Sequence, residues 1–469
     1  MTDRPSRATF HDRLDEMVSV LRDEIMTGKR QAGEFLASER LLGKQFRISN
    51  KSVRDALATL QAEGLIEKIP KVGSRVASLP DEKAIRIRFA YHSTIVNEAD
   101  LAHLISMFHL QYPQIRVQSL PLMSRQYDQI SQILESDVID VLTVNLDDFN
   151  KLVEEGIVDL FETLSPNQDI YPYLTRGFVH EDELKAQPFI FSPVMLCYNK
   201  AHFQQTRVPE PDSSWTWDDL LEHAKALAIP GERFGFYTHL QSRNRWPVFF
   251  LQSGMKFPKS GGQVDWVDSP WLEAARICRR LLTEQGLVPI FDREEDAEEL
   301  FKQEKASVIM TTYFRLNDLK KVGFEYDVAP LPYSGNSKTM LLTIGLAQMS
   351  SSKYKEASRT FLKFLQSEAA QLTIRTRTLS IPALKPAAEW SGKETMYRPS
   401  RFQMHREIVP TFGKMRDLDI PNGQSLLLLQ ECKYYWSGLY SEEVLVRKLQ
   451  QLVESYYGSR DNQTIEDAD

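Results

Sequence analysis

Residues 36 to 76 carry two short helical patterns joined by a tight connection and then a hairpin pattern with a glycine at its tip. No other feature constrains the front of this chain as much. Ser49 is a favoured N-cap, because its hydroxyl can accept a hydrogen bond from an orphan amide of the first helical turn. Behind it Val53, Ala56, Leu57 and Leu60 recur at three- and four-residue spacing, so one side of that helix can pack. Asn50, Lys51, Ser52 and Arg54 fall at its N-terminal end, the end a recognition helix points at base edges and phosphates. Lys71 and Gly73 sit at the hairpin tip. An earlier helix from about Phe10, with Leu14, Met17, Val18, Leu21 and Ile25 on one stripe, stops near Gly28. The order predicts a winged helix-turn-helix over residues 1–77.

Charge agrees once it is divided. The chain of 469 residues has a formal net charge of -7. Residues 1 to 79 hold 14 Lys plus Arg against 11 Asp plus Glu, a net of +3, and the remainder holds 43 against 53, a net of -10. The basic excess lies with the predicted DNA reader, and an acidic body would repel phosphate and limit non-specific binding.

The segment resembles the N-terminal domain of the GntR family of bacterial transcription regulators. Leu36, Ser38, Glu39, Arg40, Ser49, Val53, Arg54, Ala56, Leu57, Gly64 and Leu65 match that pattern in order. The resemblance implies that Arg40 and Arg54 contact double-stranded DNA, with Asn50, Lys51 and Ser52 beside them and Lys71 and Gly73 at the wing. Ala37 stands where proline is usual. Asn50 stands where arginine is common, and since arginine suits guanine and asparagine adenine, the operator sequence does not carry over.

Beyond the hairpin, residues 78–84 are short and polar with a proline, which marks a linker. The remaining length suits a large α/β body over 85–460, with a disordered tail at 461–469. Ile85 to Tyr91 and the run from Tyr112 to Val117 read as strands flanking a helix that carries Leu101, Leu104, Ile105 and Phe108, an order that implies a parallel sheet. Further strands are expected at Val138–Val144, Ala306–Met310 and Leu342–Ala347. Helices are expected at Leu152–Leu160, ending at Gly156 with a turn beyond, and at Trp217–Leu227 and Tyr354–Leu365. Hydrophobic content of 42% is ordinary for a globular chain. The longest apolar stretch, Pro188 to Tyr198, is too short for a bilayer span and is interrupted by Ser192 and Pro193. With no signal-peptide pattern at the start, the expected location is the cytoplasm. Cys197, Cys278 and Cys432 read as reduced, packed thiols.

The body resembles the family 1 extracellular solute-binding proteins. The resemblance rests on Tyr112-Pro113 with Ile115 and Val117, Asp140-Val141, Gly156 to Leu160, Tyr198-Asn199-Lys200 with Phe203, Trp217 to Leu220, Phe301 to Met310 (with Glu304 where glycine is usual), and Ala329 to Pro332 followed by Ala357 to Ser367. It implies two α/β lobes that close on a ligand by a hinge, behind an N-terminal winged helix-turn-helix. The whole then reads as a sequence-specific transcription regulator, a homodimer, controlled by a small carbohydrate-like effector bound between the lobes.

Ligands of open α/β sheets lie past the carboxyl ends of strands, and sugars need aromatic faces together with fixed polar groups. The candidates are His92 and Ser93 after the first strand, and Asn145, Asp147 and Asp148 after the third, a position the resembling family often uses for hydroxyl binding. Trp246, Tyr313, Arg315 and Trp436 complete the set. Asp147 and Asp148 can also be helix caps, the tryptophans can also be core, and Arg243-Asn244-Arg245 offers either a site for an acidic sugar or, as the favoured reading, a solvated loop.

No His-Glu-x-x-His, Gly-x-Ser-x-Gly or phosphate-loop pattern is present, and Gly335 to Thr339 reads as a turn. No catalysis, metal or cofactor is expected. The enzyme alternative is the aminotransferase-fused branch of the same regulator family, which needs a lysine for pyridoxal phosphate. A cytoplasmic sugar-binding protein is the other alternative.

Overall fold

Three- and four-residue apolar spacing at the front and apolar strand runs behind it produce two separate kinds of core. The computed structural model describes residues 7–26, 30, 33–62, 65–70, 72–77, 84–123, 130–136, 138–284, 293, 295–421 and 423–466. Lys71 and residues 78–83 of the expected linker therefore lie outside the described residues.

At the front, helices α1 (Arg7–Met26), α2 (Glu39–Gln45) and α3 (Asn50–Ala62) precede the antiparallel pair β1 (Ile66–Ile69) and β2 (Gly73–Val76). Met17, Val18 and Leu21 of α1 pack with Leu42, Val53, Ala56, Leu57, Leu60, Ile66 and Val76 in a core of their own. Gly43 allows the tight helix-turn-helix join. A Cβ there would stand 3.1 Å from the Ile48 carbonyl oxygen and 3.4 Å from Asn50 Oδ1.

The body is built on one mixed sheet. Its first lobe holds β3 (Ile85–His92), α4 (Ile95–Glu98), α5 (Leu101–Gln111), β4 (Ile115–Leu122), β5 (Val141–Asn145) and α6 (Leu146–Glu154). Two long strands, β6 (Gln187–Asn199) and β10 (Thr339–Gln348), run through both lobes. The second lobe adds α7 (Trp217–Leu227), β7 (Phe234–Tyr237), α8 (Trp246–Ser253), β8 (Ala306–Thr312) and β9 (Tyr326–Ala329). Strand order is β4-β3-β5-β10-β6-β8-β7, with β9 paired to β6.

Strand β3 lies parallel to β4 and β5, and β8 lies parallel to β7, whereas the two shared strands run antiparallel to each other, β10 to β5 and β6 to β8. The strand–helix–strand unit is thus parallel, as its order implies, while the sheet as a whole is mixed. The apolar run from Pro188 to Tyr198 becomes β6, buried along its whole length. Ser192 and Pro193 sit opposite Leu342 and Leu341, at the waist between the lobes, and a register shift falls between Ile344 and Gly345.

Three boundaries depart from expectation. Tyr112 ends α5, its amide bonded to the Phe108 carbonyl, so β4 begins only at Ile115. The helix expected from Leu152 starts at Leu146 instead, because Asn145 caps it, while its end agrees with expectation: it stops at Glu154, and Gly156 at φ +71° leads into a 3-10 turn. The last helix, α11 (Glu442–Glu466), follows α10 (Gln424–Trp436), with α9 (Lys355–Leu365) earlier, and continues into the segment expected to be disordered. No helix of the described residues is long and apolar enough to cross a membrane.

Candidate functional site

The N-terminal end of α3 stands out from its small core. Ser49 precedes the helix and its Oγ accepts from the Ser52 amide at 3.2 Å, as an N-cap does. The two hydroxyls lie 2.7 Å apart and Ser52 is only 1% exposed. Ser52 is thus part of the cap rather than of the outer face, a correction to its expected place beside the DNA. Asn50, Lys51 and Arg54 are exposed, as is Arg40 on α2. Arg54 Nε lies 2.9 Å from Glu39 Oε2, an ion pair open to water that joins α3 to α2. Gly73, at φ +148°, occupies a conformation that side chains disfavour, which explains glycine at the start of the returning wing strand. Arg75 on that strand pairs with Glu67, its Nε 2.8 Å from Oε1.

The second site is a cavity of about 450 Å³ between the lobes, a size usual for a small-molecule pocket. It lies past the carboxyl ends of β3, β5, β7 and β8. The first lobe contributes His92, Thr94, Glu98, Asn145, Asp147 and Asp148; the waist contributes Leu342, Thr343 and Ile344. From the second lobe come Arg243, Asn244 and Arg245 ahead of α8, with Phe314 and Arg315 just after β8.

Local structure places these groups. The Asn145 side chain accepts from the Asp148 amide at 2.9 Å and its amide nitrogen donates to the Asp148 carboxylate, so these two residues shape the start of α6. Asp147, between them in the first turn, keeps part of its surface toward the cavity. Burial pushes its pKa up to about 7, the neighbouring Asp148 adds to the rise, and Arg243 opposes it. Burial likewise raises Glu98 to about 7, against a hydrogen bond from Thr94 and the charge of Arg315. Cations of the second lobe thus act on acids of the first, Arg243 on Asp147 and Arg315 on Glu98.

His92 Nδ1 lies 2.9 Å from the Thr94 hydroxyl, and the His92 amide donates to Thr143 Oγ1 at 3.3 Å. Arg245 is buried and donates to the Met310 carbonyl at 3.1 Å.

Of the nine predicted ligand residues, His92, Asn145, Asp147, Asp148 and Arg315 meet at this cavity, and Ser93 lies beside it without lining it. Trp246, Tyr313 and Trp436 need correction. Trp246 and Trp436 pack in the core of the second lobe at 2% and 4% exposure, and Tyr313 is fully buried with its hydroxyl on the Phe402 carbonyl at 2.9 Å. Large apolar faces are worth more against other apolar groups than against a wet cleft, so only Phe314 brings an aromatic carbocycle to the lining. In the Arg243–Arg245 loop, Arg243 is exposed and Asn244 partly so, as a solvated loop requires, while Arg245 is buried, and all three line the cavity. The loop forms a wall of the cavity because it leaves β7, a strand whose Phe-Gly-Phe-Tyr sequence is too short to announce itself.

Known proteins resemble each half. Residues 111–372 match the model of the bacterial extracellular solute-binding protein family, and residues 15–76 match that of the bacterial regulatory proteins of the gntR family. A binding protein of Brucella abortus is 28% identical over 192 residues, covering 38% of this chain, which spans 45% of that relative's length. The galactooligosaccharide-binding protein of Bacillus subtilis is 22% identical over 313 residues, covering 61% of this chain and 71% of the relative. The sn-glycerol-3-phosphate-binding periplasmic protein of Shigella dysenteriae is 23% identical, covering 54% of this chain and 63% of the relative. Among solved structures, an ABC substrate-binding protein of Listeria monocytogenes in complex with cycloalternan superposes with a TM-score of 0.66 at 18% identity, covering 80% of this chain and 99% of that one. The GacH receptor of Streptomyces glaucescens gives a TM-score of 0.68 at 16% identity with the same coverage. These likenesses establish the two-lobed solute-binding fold for the body, in place of an aminotransferase-like one.

Proposed function

Because this chain belongs to the bacterial extracellular solute-binding protein family and carries a gntR-family domain ahead of that region, we propose that it is a transcription regulator controlled by a small carbohydrate-like effector. The effector occupies the cleft between the lobes, and the winged helix binds a duplex operator. Arg40, Asn50, Lys51 and Arg54 make the contacts, with Lys71 and Gly73 at the wing. The protein acts in the cytoplasm as a homodimer, so that two recognition helices meet two half-sites.

The observation that carries this reading is the presence, in one chain, of an exposed helix N-terminus rich in donors and a cavity lined from both lobes. Relatives named for binding a glycerol phosphate and a galactooligosaccharide, and a structure in complex with cycloalternan, support a small polyhydroxylated ligand. Helix α1 of the winged-helix domain lies against α5, and α5 follows directly on the α4 turn that brings Glu98 to the cavity. Lobe closure is thereby transmitted to the DNA reader. Such coupling is typically worth about 1 to 3 kcal/mol, or roughly 5- to 150-fold in operator affinity.

The test has two arms. Selection of duplexes from a randomised pool by the full chain is expected to enrich a two-part motif, and thermal-shift screening against a sugar panel is expected to raise Tm for a subset. An unenriched pool contradicts the regulator, and a panel without effect contradicts the carbohydrate effector.

A further inference from the structure

Acids outnumber cations around the cleft. Arg315 lies 3.2 Å from Asp318, 3.6 Å from Glu298 and 3.8 Å from Glu295, and its charge also acts on Glu98. Lys320 shares Asp318. Arg245 serves the same Glu298 and is bonded to the Met310 carbonyl. Arg243 faces Asp147, which has Asp148 beside it. Setting aside Asp318, three guanidiniums stand against the five carboxylates of Glu98, Asp147, Asp148, Glu295 and Glu298.

Glu98 is the group this arrangement leaves over. It is 8% exposed and lines the cavity, and its Oε2 has no hydrogen-bond partner among the described residues. Thr94 gives its carboxyl one side-chain hydrogen bond, and the charged groups acting on it are Arg315 and Asp318. A buried carboxyl so placed must hold a proton or meet a cation. Thr343, which lines the same cavity and is buried, also has a hydroxyl with no partner among the described residues.

Resting on the reading of this cleft as an effector site, we infer that the effector is a small polyol bearing a primary ammonium group, such as an amino sugar, with the ammonium on Glu98 and a hydroxyl on Thr343. A neutral hydroxyl on Glu98 would satisfy the oxygen but bring the carboxyl no cation. An acidic sugar would bring a further anion to it, and the guanidiniums that could receive an acid already face carboxylates or a carbonyl. Glu98 titrates near pH 7, so an ammonium that docks at that pH displaces a proton from the carboxyl to the buffer.

Calorimetry on the full chain at pH 7 tests this with glucosamine, galactosamine and mannosamine, their N-acetyl forms and the matching uronic acids. In two buffers of different ionisation enthalpy, at least one free amine is expected to bind 10-fold or more tightly than its acetylated or acidic counterparts, with net proton release. Glu98→Gln, which keeps shape, is expected to lose that preference and the proton release together. Should that variant fold poorly, the proton count on the natural chain decides alone. Equal or tighter binding of neutral or acidic members, or amine binding without proton release, overturns the inference and leaves the carbohydrate sensor standing. Binding by no member of any charge class overturns both.

Discussion

The winged helix and the cleft solve opposite problems. The DNA-reading face is assembled from residues close in sequence, and its polar groups are exposed: Arg54 and Glu39 form their pair at 61% and 34% side-chain exposure. The cleft is assembled from residues some 250 positions apart, and its charges are partly or wholly withdrawn from water, as with Glu98 at 8% and Arg245 at 6%. In the first region a charge costs little and waits for a phosphate. In the second, charges withdrawn from water stand close to one another and acids outnumber cations, so what the ligand carries must suit that imbalance.

Several substitutions break or sharpen this contrast. The largest effect is expected from Gly43→Leu, which drives a side chain into the Ile48 carbonyl and forces α2 away from the turn. Overpacking of this kind costs about 1–3 kcal/mol or more, a large share of what a small domain has. Gel-shift experiments should show loss of DNA binding while the thermal transition of the body persists. Arg54→Ala should weaken binding to a selected duplex by roughly 10- to 100-fold, in line with about 1–3 kcal/mol for a base-reading arginine. Its folded stability should hardly change, since an exposed pair contributes little. Equal loss of DNA and ligand binding would mean unfolding instead.

In the cleft, Glu98→Gln separates the regions by pH. The folded pKa of Glu98 is raised to about 7, above that of the unfolded chain, so the folded state holds the proton more tightly. Its destabilising effect is therefore absent at pH 4, grows as pH rises toward 7 and is complete above it. The glutamine variant should match the natural chain near pH 4 and exceed it at pH 8 by up to about 3 kcal/mol, read by chemical denaturation. Equal stability of the two at both pH values would contradict the burial of a charge-prone carboxyl. The smallest effect belongs to Ser49→Ala, which removes the α3 cap and should cost about 1 kcal/mol in the winged-helix transition.

The same contrast explains what could be read in advance. The front domain was legible because its signals are local: a cap, a helical stripe and a hairpin glycine. There the failure was Ser52, whose polarity suggested an outward face although its hydroxyl serves the cap. In the body, strand ends gave His92, Asn145 and Asp147, because the exit from a recognisable strand fixes where the following residues lie. Strand β7 gave too weak a pattern to mark its exit, so Arg243 and Arg245 passed as loop. Glu98 lies in a single turn after β3, where no periodicity distinguishes a residue facing the cleft. Trp246, Tyr313 and Trp436 were selected for the stacking that sugars favour, but apolar packing in the second lobe took them first.

The coupling of the two regions is the centre of the account, and one titration tests it most directly. A fluorescent duplex enriched by the full chain is titrated with the protein, with and without a saturating sugar already found to raise its Tm. The midpoint is expected to move by roughly 5- to 150-fold, in either direction, and the sugar to bind with the reciprocal change when duplex is present. Superimposable curves with bound sugar would contradict the coupling.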